Sequence, residues 1–339
     1  MKLFLLLPML FLSCGWFEKR EHTEKPTSVD LPVQIATKGA LYCQKSNLAY
    51  QVNKYVHGRC DGIGFTSLYK IGCPENNVDL SIFEDSTGRN HRDPAHSCFD
   101  YETKTDKGSK AGFSKDMALM RMVAALETKD LGWIKRYTAF LKAHSYVMCD
   151  AINDTEKVSR CVMSPRLISL IYDIEAYLEK GSADARPAVP EEEISGLADG
   201  DDAVAIRSDF EAHLDVLAIY ADGRVHGAIK DSALKRLKAY TEREHENALY
   251  SAVYHYFYDG NQTRTWELLA ATDKFPENNL PSNHHNYCTE YLFQRDMLKD
   301  GKPSRNWLPC PADKDGNPLF SEHSGTDYNL ARYISGLKK

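Results

Sequence analysis

The stretch SKDMALMRMVAALET, residues 114–128, carries Met117, Ala118, Leu119, Met120, Met122, Val123, Ala124, Ala125 and Leu126, apolar nearly all round a helix. A helix of that kind must be covered on several sides, so it belongs inside a layered body. The next stretch, LGWIKRYTAFLKAHSYV at 131–147, reads differently. Its Trp133, Ile134, Tyr137, Phe140, Leu141 and His144 fall at helical spacing with polar residues between, the stripe of a helix with one face in water.

Further out, Ser164 followed by Pro165 supplies an N-cap and a proline at the first helical position. It opens a one-sided helix through Leu167, Leu170, Ile171, Ile174, Tyr177 and Leu178. One-sided stretches recur at 204–220 and 225–240, denser ones at 248–258 and 287–298, and strand-like alternation is scarce. Fully buried helices mixed with one-sided ones predict two concentric layers. The expected fold is all-α, an (α/α)n toroid of inner and outer helices, (α/α)6-like and stapled by disulfides. The Pro-, Ala-, Glu- and Gly-rich segment 181–201 reads as a surface loop, because helices of one style flank it, and 41–339 reads as a single domain.

Composition sets the outer bounds. The chain has 339 residues, 42% of them hydrophobic, and a formal net charge of −6. That suffices for a sizeable core and excludes disorder and collagen. A mean hydropathy of −0.48 excludes a polytopic membrane protein. The acidic balance and the lack of a Lys/Arg-rich patch argue against nucleic acid as a partner.

The N-terminus gives an address. Met1-Lys2 precedes an apolar run, Leu3–Leu12, too short to span a bilayer, and then Ser13-Cys14-Gly15. Residues 1–13 read as a signal peptide. Phe11-Leu12-Ser13-Cys14 resembles a bacterial lipobox, with phenylalanine where leucine is usual. The resemblance implies a lipidated Cys14, an exported protein held on the membrane by that lipid, and a body facing the periplasm or the cell surface. Residues 14–40, polar and proline-dotted (Lys25-Pro26, Leu31-Pro32), read as a flexible tether. Setting Cys14 aside leaves eight cysteines, an even number that fits four disulfides in an exported protein. Many pairings are open; neighbour closure (Cys43–Cys60, Cys73–Cys98, Cys149–Cys161, Cys288–Cys310) is the simplest. No C-x-x-C pair occurs, which disfavours a zinc site, and no cofactor is demanded.

Four constellations could carry chemistry. His57-Gly58-Arg59-Cys60-Asp61 stands just before an apolar stretch, so Asp61 is either a helix N-terminal acid or a functional carboxylate. Asp116 opens the most buried helix behind Ser114 and has the same two readings. Asn283-His284-His285-Asn286-Tyr287 leads to Arg295-Asp296; adjacent histidines cannot share one helix side, which disfavours a metal pair but leaves an acid, a base or a sugar contact. Glu322-His323-Ser324-Gly325-Thr326-Asp327 opens the last helix, as a capping arrangement or a functional acid. The run Asp313–Glu322 mimics part of a calcium loop but lacks its first ligand, where Pro311 stands, and reads as a turn. Tyr250, Tyr254, Tyr256, Phe257 and Tyr258 crowd one segment and Trp266, Tyr287, Tyr291 and Trp307 follow, rings that fill a core or stack on sugars. No G-x-S-x-G, H-E-x-x-H, P-loop or dinucleotide fingerprint is present, disfavouring the corresponding enzymes.

The segments Cys60-Asp61-Gly62 to Cys73, Gly112-Phe113-Ser114-Lys115-Asp116-Met117-Ala118-Leu119, and Phe293-Gln294-Arg295-Asp296 with Ser324-Gly325-Thr326-Asp327 resemble a bacterial exported family without established activity. Its members carry Phe-Ser-Arg-Asp-Met where Lys115 replaces the arginine here. In architecture the chain also resembles the (α/α)6-toroid glycoside hydrolases and polysaccharide lyases, which place acids at one end of the inner helices around a glycan groove. That resemblance implies glycan cleavage, by a hydrolase with paired carboxylates drawn from Asp61, Asp116 and Asp327. His57, Arg89, Tyr254, His284, His285, Tyr287, Arg295, Asp296 and His323 are the expected substrate contacts. In a lyase, Tyr287 or a histidine would abstract the proton beside a uronate held by Arg89 or Arg295. A non-catalytic lipoprotein binding a glycan or a partner protein is the reading from another class.

Overall fold

A computed structural model of the chain describes residues 31–53, 62–91, 99–100, 105–106, 113–148, 162–186, 209–243, 245, 247–271, 298–299, 302–303 and 323–336. The fold is mostly helical. The all-round apolar segment forms α3 (Lys115–Thr128), in which every residue from Met117 to Leu126 is buried. It stops where Lys129 adopts a left-handed conformation (φ 58°) and returns its N–H to Ala125 and Leu126. Asp130 then caps α4 (Leu131–Ala143), accepting from the Trp133 N–H at 3.0 Å. This two-residue link turns α4 back along α3, and Arg121 donates to Asp130 across the turn at 2.8 Å.

Ser164 and Pro165 open α5 (Pro165–Lys180) as their chemistry requires, with Ser164 accepting from the Leu167 N–H, and Gly181 (φ 80°) ends it. α6 (Asp209–His226) and α7 (Asp231–Arg243) form one antiparallel pair, α8 (Ala248–Tyr258) and α9 (Thr263–Ala271) another. α1 (Leu31–Asn53), α2 (Gly62–Gly72) and α10 (His323–Gly336) complete the helices longer than one turn among the described residues. Two antiparallel ladders of two-residue strands, Phe99–Asp100 with Thr105–Asp106 and Leu298–Lys299 with Lys302–Pro303, are too short to build a sheet.

Side-chain pairs fix the directions of six helices. Arg166 and Asp173 of α5 meet Asp215 and His226 of α6 in the same order. His213 near the start of α6 meets Asp327 near the start of α10, while Tyr220 of α6 and Tyr333 of α10 share Glu127 at the end of α3. Asp215 and Arg224 of α6 reach α8 in the same order, through Tyr240 (which packs on Tyr250) and through Tyr256. Gly64 of α2 lies against Met117 and Met120 of α3, and Lys70 stands near Arg121. α2, α3, α5, α6, α8 and α10 therefore run parallel. Each packs on the next in that order, and α10 packs on α2. α4 packs on α3 and α5, α7 on α6 and α8, α9 on α8 and α10, and α1 on α10 and α2. The core between holds Trp133, Tyr69, Tyr137, Tyr220, Tyr240, Tyr250 and Tyr328, all fully buried.

Three expectations change. α1 begins at Leu31, so the last ten residues of the expected tether are helical; Pro32 lies in the first turn, where its missing N–H costs nothing. The neighbour pairing of cysteines gives way to a Cys43–Cys73 disulfide, which overturns Cys43–Cys60 and Cys73–Cys98. The reason is packing: Cys43, within α1, and Cys73, one residue past α2, have Cα atoms 5.6 Å apart across the helix seam. Cys14, Cys60, Cys98, Cys149, Cys161, Cys288 and Cys310 lie outside the described residues. The stretch expected as one helix from 225 to 240 is divided: α6 runs on to His226 and α7 starts at Asp231, with Gly227 (φ 74°) at the break.

Candidate functional site

Six parallel helices gather their N-terminal ends on one side of the molecule. Each end presents unpaired N–H groups and a partial positive charge, so this side favours carboxylates and anionic or hydroxylated ligands. Asp116 sits here, in the first turn of α3, half-buried and with no hydrogen bond or ion pair among the described residues. Ser114 precedes it in extended conformation but makes no side-chain cap; its buried Oγ has no partner among the described residues.

Asp327 is in the second turn of α10, past the capping positions, because the helix starts at His323. Its Oδ1 lies 3.0 Å from Nε2 of His213, and both side chains are 0% exposed. Burial raises the Asp327 carboxyl above its ordinary range, against the pull of His213. Its Oδ2 has no partner among the described residues.

The other expected contacts scatter. Arg89 lies in the turn 85–91, where Asp85 accepts from the N–H groups of Thr87 and Arg89 and His91 Nε2 stands 3.2 Å from its carboxylate. Trp133 ties that turn to α4 through Asn90 at 3.0 Å, and Arg136 through both oxygens of Glu84. Tyr254 is on the outer part of α8, its ring stacked on exposed Tyr258 at 5.0 Å. Burial raises the Tyr254 hydroxyl's pKa. His323 is the first residue of α10. His57, Asp61, His284, His285, Tyr287, Arg295 and Asp296 lie outside the described residues. In sequence, Asp61 stands directly ahead of Gly62, the first residue of α2.

Two clusters escaped the sequence reading. At the C-terminal side, Glu127 accepts from Tyr220 (3.0 Å), Tyr333 (2.8 Å) and Arg224 Nε (2.9 Å). Burial opposes the Arg224 charge, but the Glu127 carboxylate more than offsets it and holds the guanidinium above its ordinary pKa. This hub welds α3, α6 and α10. On the flank between α5 and α6, a cavity of about 530 Å³ is lined by Asp173, Asp222, His226 and Arg186, among others. Arg186 donates to Asp173 Oδ1 at 3.0 Å and to Ser169. Burial raises Asp173, with Arg186 and His226 opposing. The i, i+4 spacing of Asp222 and His226 on a helix was a readable signal; Asp173, from another helix, was not.

The chain is thus a mostly helical protein with one described disulfide, α1 to the end of α2. No helix among the described residues is long and apolar enough to cross a membrane. Comparison with protein-family models, curated proteins and solved structures found no match.

Proposed function

We propose that this is an envelope-anchored enzyme that cleaves a glycan, held by a lipid on Cys14 and working at the N-terminal ends of its parallel helices. In this reading the six helices are the inner ring of an (α/α)6-like toroid and α1, α4, α7 and α9 belong to the outer ring. The observation that carries the reading is the gathering of those six N-terminal ends, with Asp116 half-open in the first turn of α3 and Asp61 directly ahead of α2. Glycoside hydrolysis needs two carboxyl groups, one to protonate the leaving oxygen and one to activate water or attack. Asp116 and Asp61 take those parts. Asp327, enclosed with His213, holds a third acid at the same end; His323, the first residue of α10, and the histidines ahead of that helix in sequence remain the proposed sugar contacts, while Arg89, tied to the start of α4, and Tyr254, in the second half of α8, drop out.

The second reading, a lipoprotein that binds glycan or a partner without cleaving, draws on the enclosure of Asp327: a fully buried acid fixes a fold as readily as it serves a reaction. The test incubates purified chain from Gly15 onward, and its Asp116→Asn variant, with peptidoglycan and a panel of polysaccharides. New reducing ends that disappear in the variant establish a hydrolase; absorbance from unsaturated sugars makes it a lyase. Silence from natively folded protein across the panel moves the assignment to the binding reading.

A further inference from the structure

We infer that Asp173, Asp222 and His226 form a site for a divalent transition-metal ion of the zinc class, in the cavity between α5 and α6. The site is separate from the proposed catalytic end. His213 and His226 stand at opposite ends of α6, about 20 Å apart along its axis.

The geometry is already close to that of a coordinated ion. One ligand atom from each of the three residues lies within 4.8 Å of the others. His226 Nε2 is 3.5 Å from Asp173 Oδ2 and 3.7 Å from Asp222 Oδ1. A tetrahedral ion with oxygen and nitrogen bonds of about 2.0–2.2 Å holds its ligand atoms about 3.3–3.6 Å apart, so small side-chain adjustments close the site. The ligands come from rigid elements: Asp222 and His226 share one face of α6, and Asp173 faces them from the parallel α5.

The surroundings are those of a supported site. Asp173 is a carboxylate with 6% of its side chain exposed. Arg186 engages its Oδ1, leaving Oδ2 directed at His226, which is how an outer-shell partner orients a metal-binding carboxylate. The cavity leaves room for water or a small ligand in the fourth position. An imidazole with two carboxylates and few ligands suits zinc or manganese and not calcium, which takes six to eight oxygens. The other close set, Cys43, Cys73 and Glu75, offers no thiolate, since its sulfurs are joined to each other.

The test titrates zinc into the purified chain after dialysis against a chelator, by calorimetry and by thermal unfolding, with magnesium and calcium as controls. One zinc ion per chain is expected, with a rise in melting temperature that magnesium and calcium do not produce. His226→Ala and Asp222→Asn should each weaken binding more than Arg186→Ala, whose loss should cost about tenfold to hundredfold. Both ligand variants alter half-exposed side chains and should keep the fold, which circular dichroism checks. Cobalt in place of zinc should give the visible bands of a four-coordinate ion, lost in His226→Ala. Zinc held equally well by His226→Ala would place the ion elsewhere on the chain and overturn the assignment. So would a natively folded protein whose melting temperature zinc does not move. Neither result depends on glycan cleavage.

Discussion

Among single residues, Asp130 carries two duties that substitutions can separate. Its carboxylate caps α4 and neutralises Arg121, whose side chain is 3% exposed and stacks over Trp133 at 4.2 Å. Burial raises the Asp130 pKa, but the Arg121 hydrogen bond and charge outweigh it, and the carboxyl lies below its ordinary value. A depressed value means that the stabilisation is complete above the ordinary carboxylate pKa of about 3.9 and is lost as the pH falls below it. Asp130→Asn keeps the cap and loses the charge, at a cost of about 2–3 kcal/mol; Asp130→Ala loses both, for about 3–4 kcal/mol. Denaturant unfolding at neutral pH should rank the variants in that order, and the gap between Asp130→Asn and the parent should shrink at pH values below the carboxylate range. The cap was missed in the sequence, although Asp130 stands directly before the periodic stretch that opens at Leu131; the ion pair had no local signal at all, because Arg121 sits amid an apolar run where nothing marks its partner. Glu127 makes the same point. Its partners lie 93, 97 and 206 positions away, beyond the reach of any local pattern. Glu127→Gln should cost about 2–3 kcal/mol, since it leaves Arg224 half-buried without a counter-charge, whereas Tyr333→Phe should cost about 1 kcal/mol; equilibrium unfolding of the two variants checks the contrast.

Between elements, close approach and cross-linking decide the seams. Gly72 ends α2 directly against α10: a Cβ there would stand 2.6 Å from Asn329 Cβ and 2.8 Å from the Asn329 carbonyl carbon. Backbone cannot yield as a side chain can, so Gly72→Ala should destabilise by about 2–3 kcal/mol, read as a lowered denaturation midpoint. The Cys43–Cys73 bond spans 30 residues, and replacing both cysteines by alanine should remove about 3–4 kcal/mol. Peptide mapping under non-reducing conditions should recover Cys43 joined to Cys73, not to Cys60. Helix existence was readable where apolar residues were dense, as at 114–128 and 248–258, or periodic, as at 165–178. Ends were harder, since α6 and α7 differ from the expected stretches by the few residues that Gly227 decides. The start of α1 was missed because its apolar residues form no clear stripe and Pro32 looks like a breaker until placed in a first turn.

For the whole molecule, the last helix is the keystone. Tyr328, Leu330, Ala331 and Ile334 of α10 are all fully buried, and α10 packs on α1, α2, α8 and α9. A chain ending at Glu322 should lose cooperative unfolding altogether, which calorimetry would register as a vanished transition. That the fold is helical could be read from the sequence; which helices neighbour which could not, since the segments of α5 and α6 read as one-sided and yet stand in one series with the all-round apolar α3. Nor could the common direction of six helices. It emerges from pairs such as Arg166–Asp215 and His213–Asp327, whose spacing along the chain carries no period.

The meeting of the first and last helices also orders events in time. Tyr328 donates to the Ile35 carbonyl across 293 residues, and Arg332 to the Gly72 carbonyl across 260. A ribosome delivers residues 31–53 well before residues 323–336, so α1 must wait for its partner while the chain between them is made. Contacts of such span make folding slow, and the waiting half exposes apolar surface meanwhile. The bond between Cys43 and Cys73 needs only neighbours that emerge early. It can hold α1 on α2 as a bookmark, keeping the place into which the final helix closes.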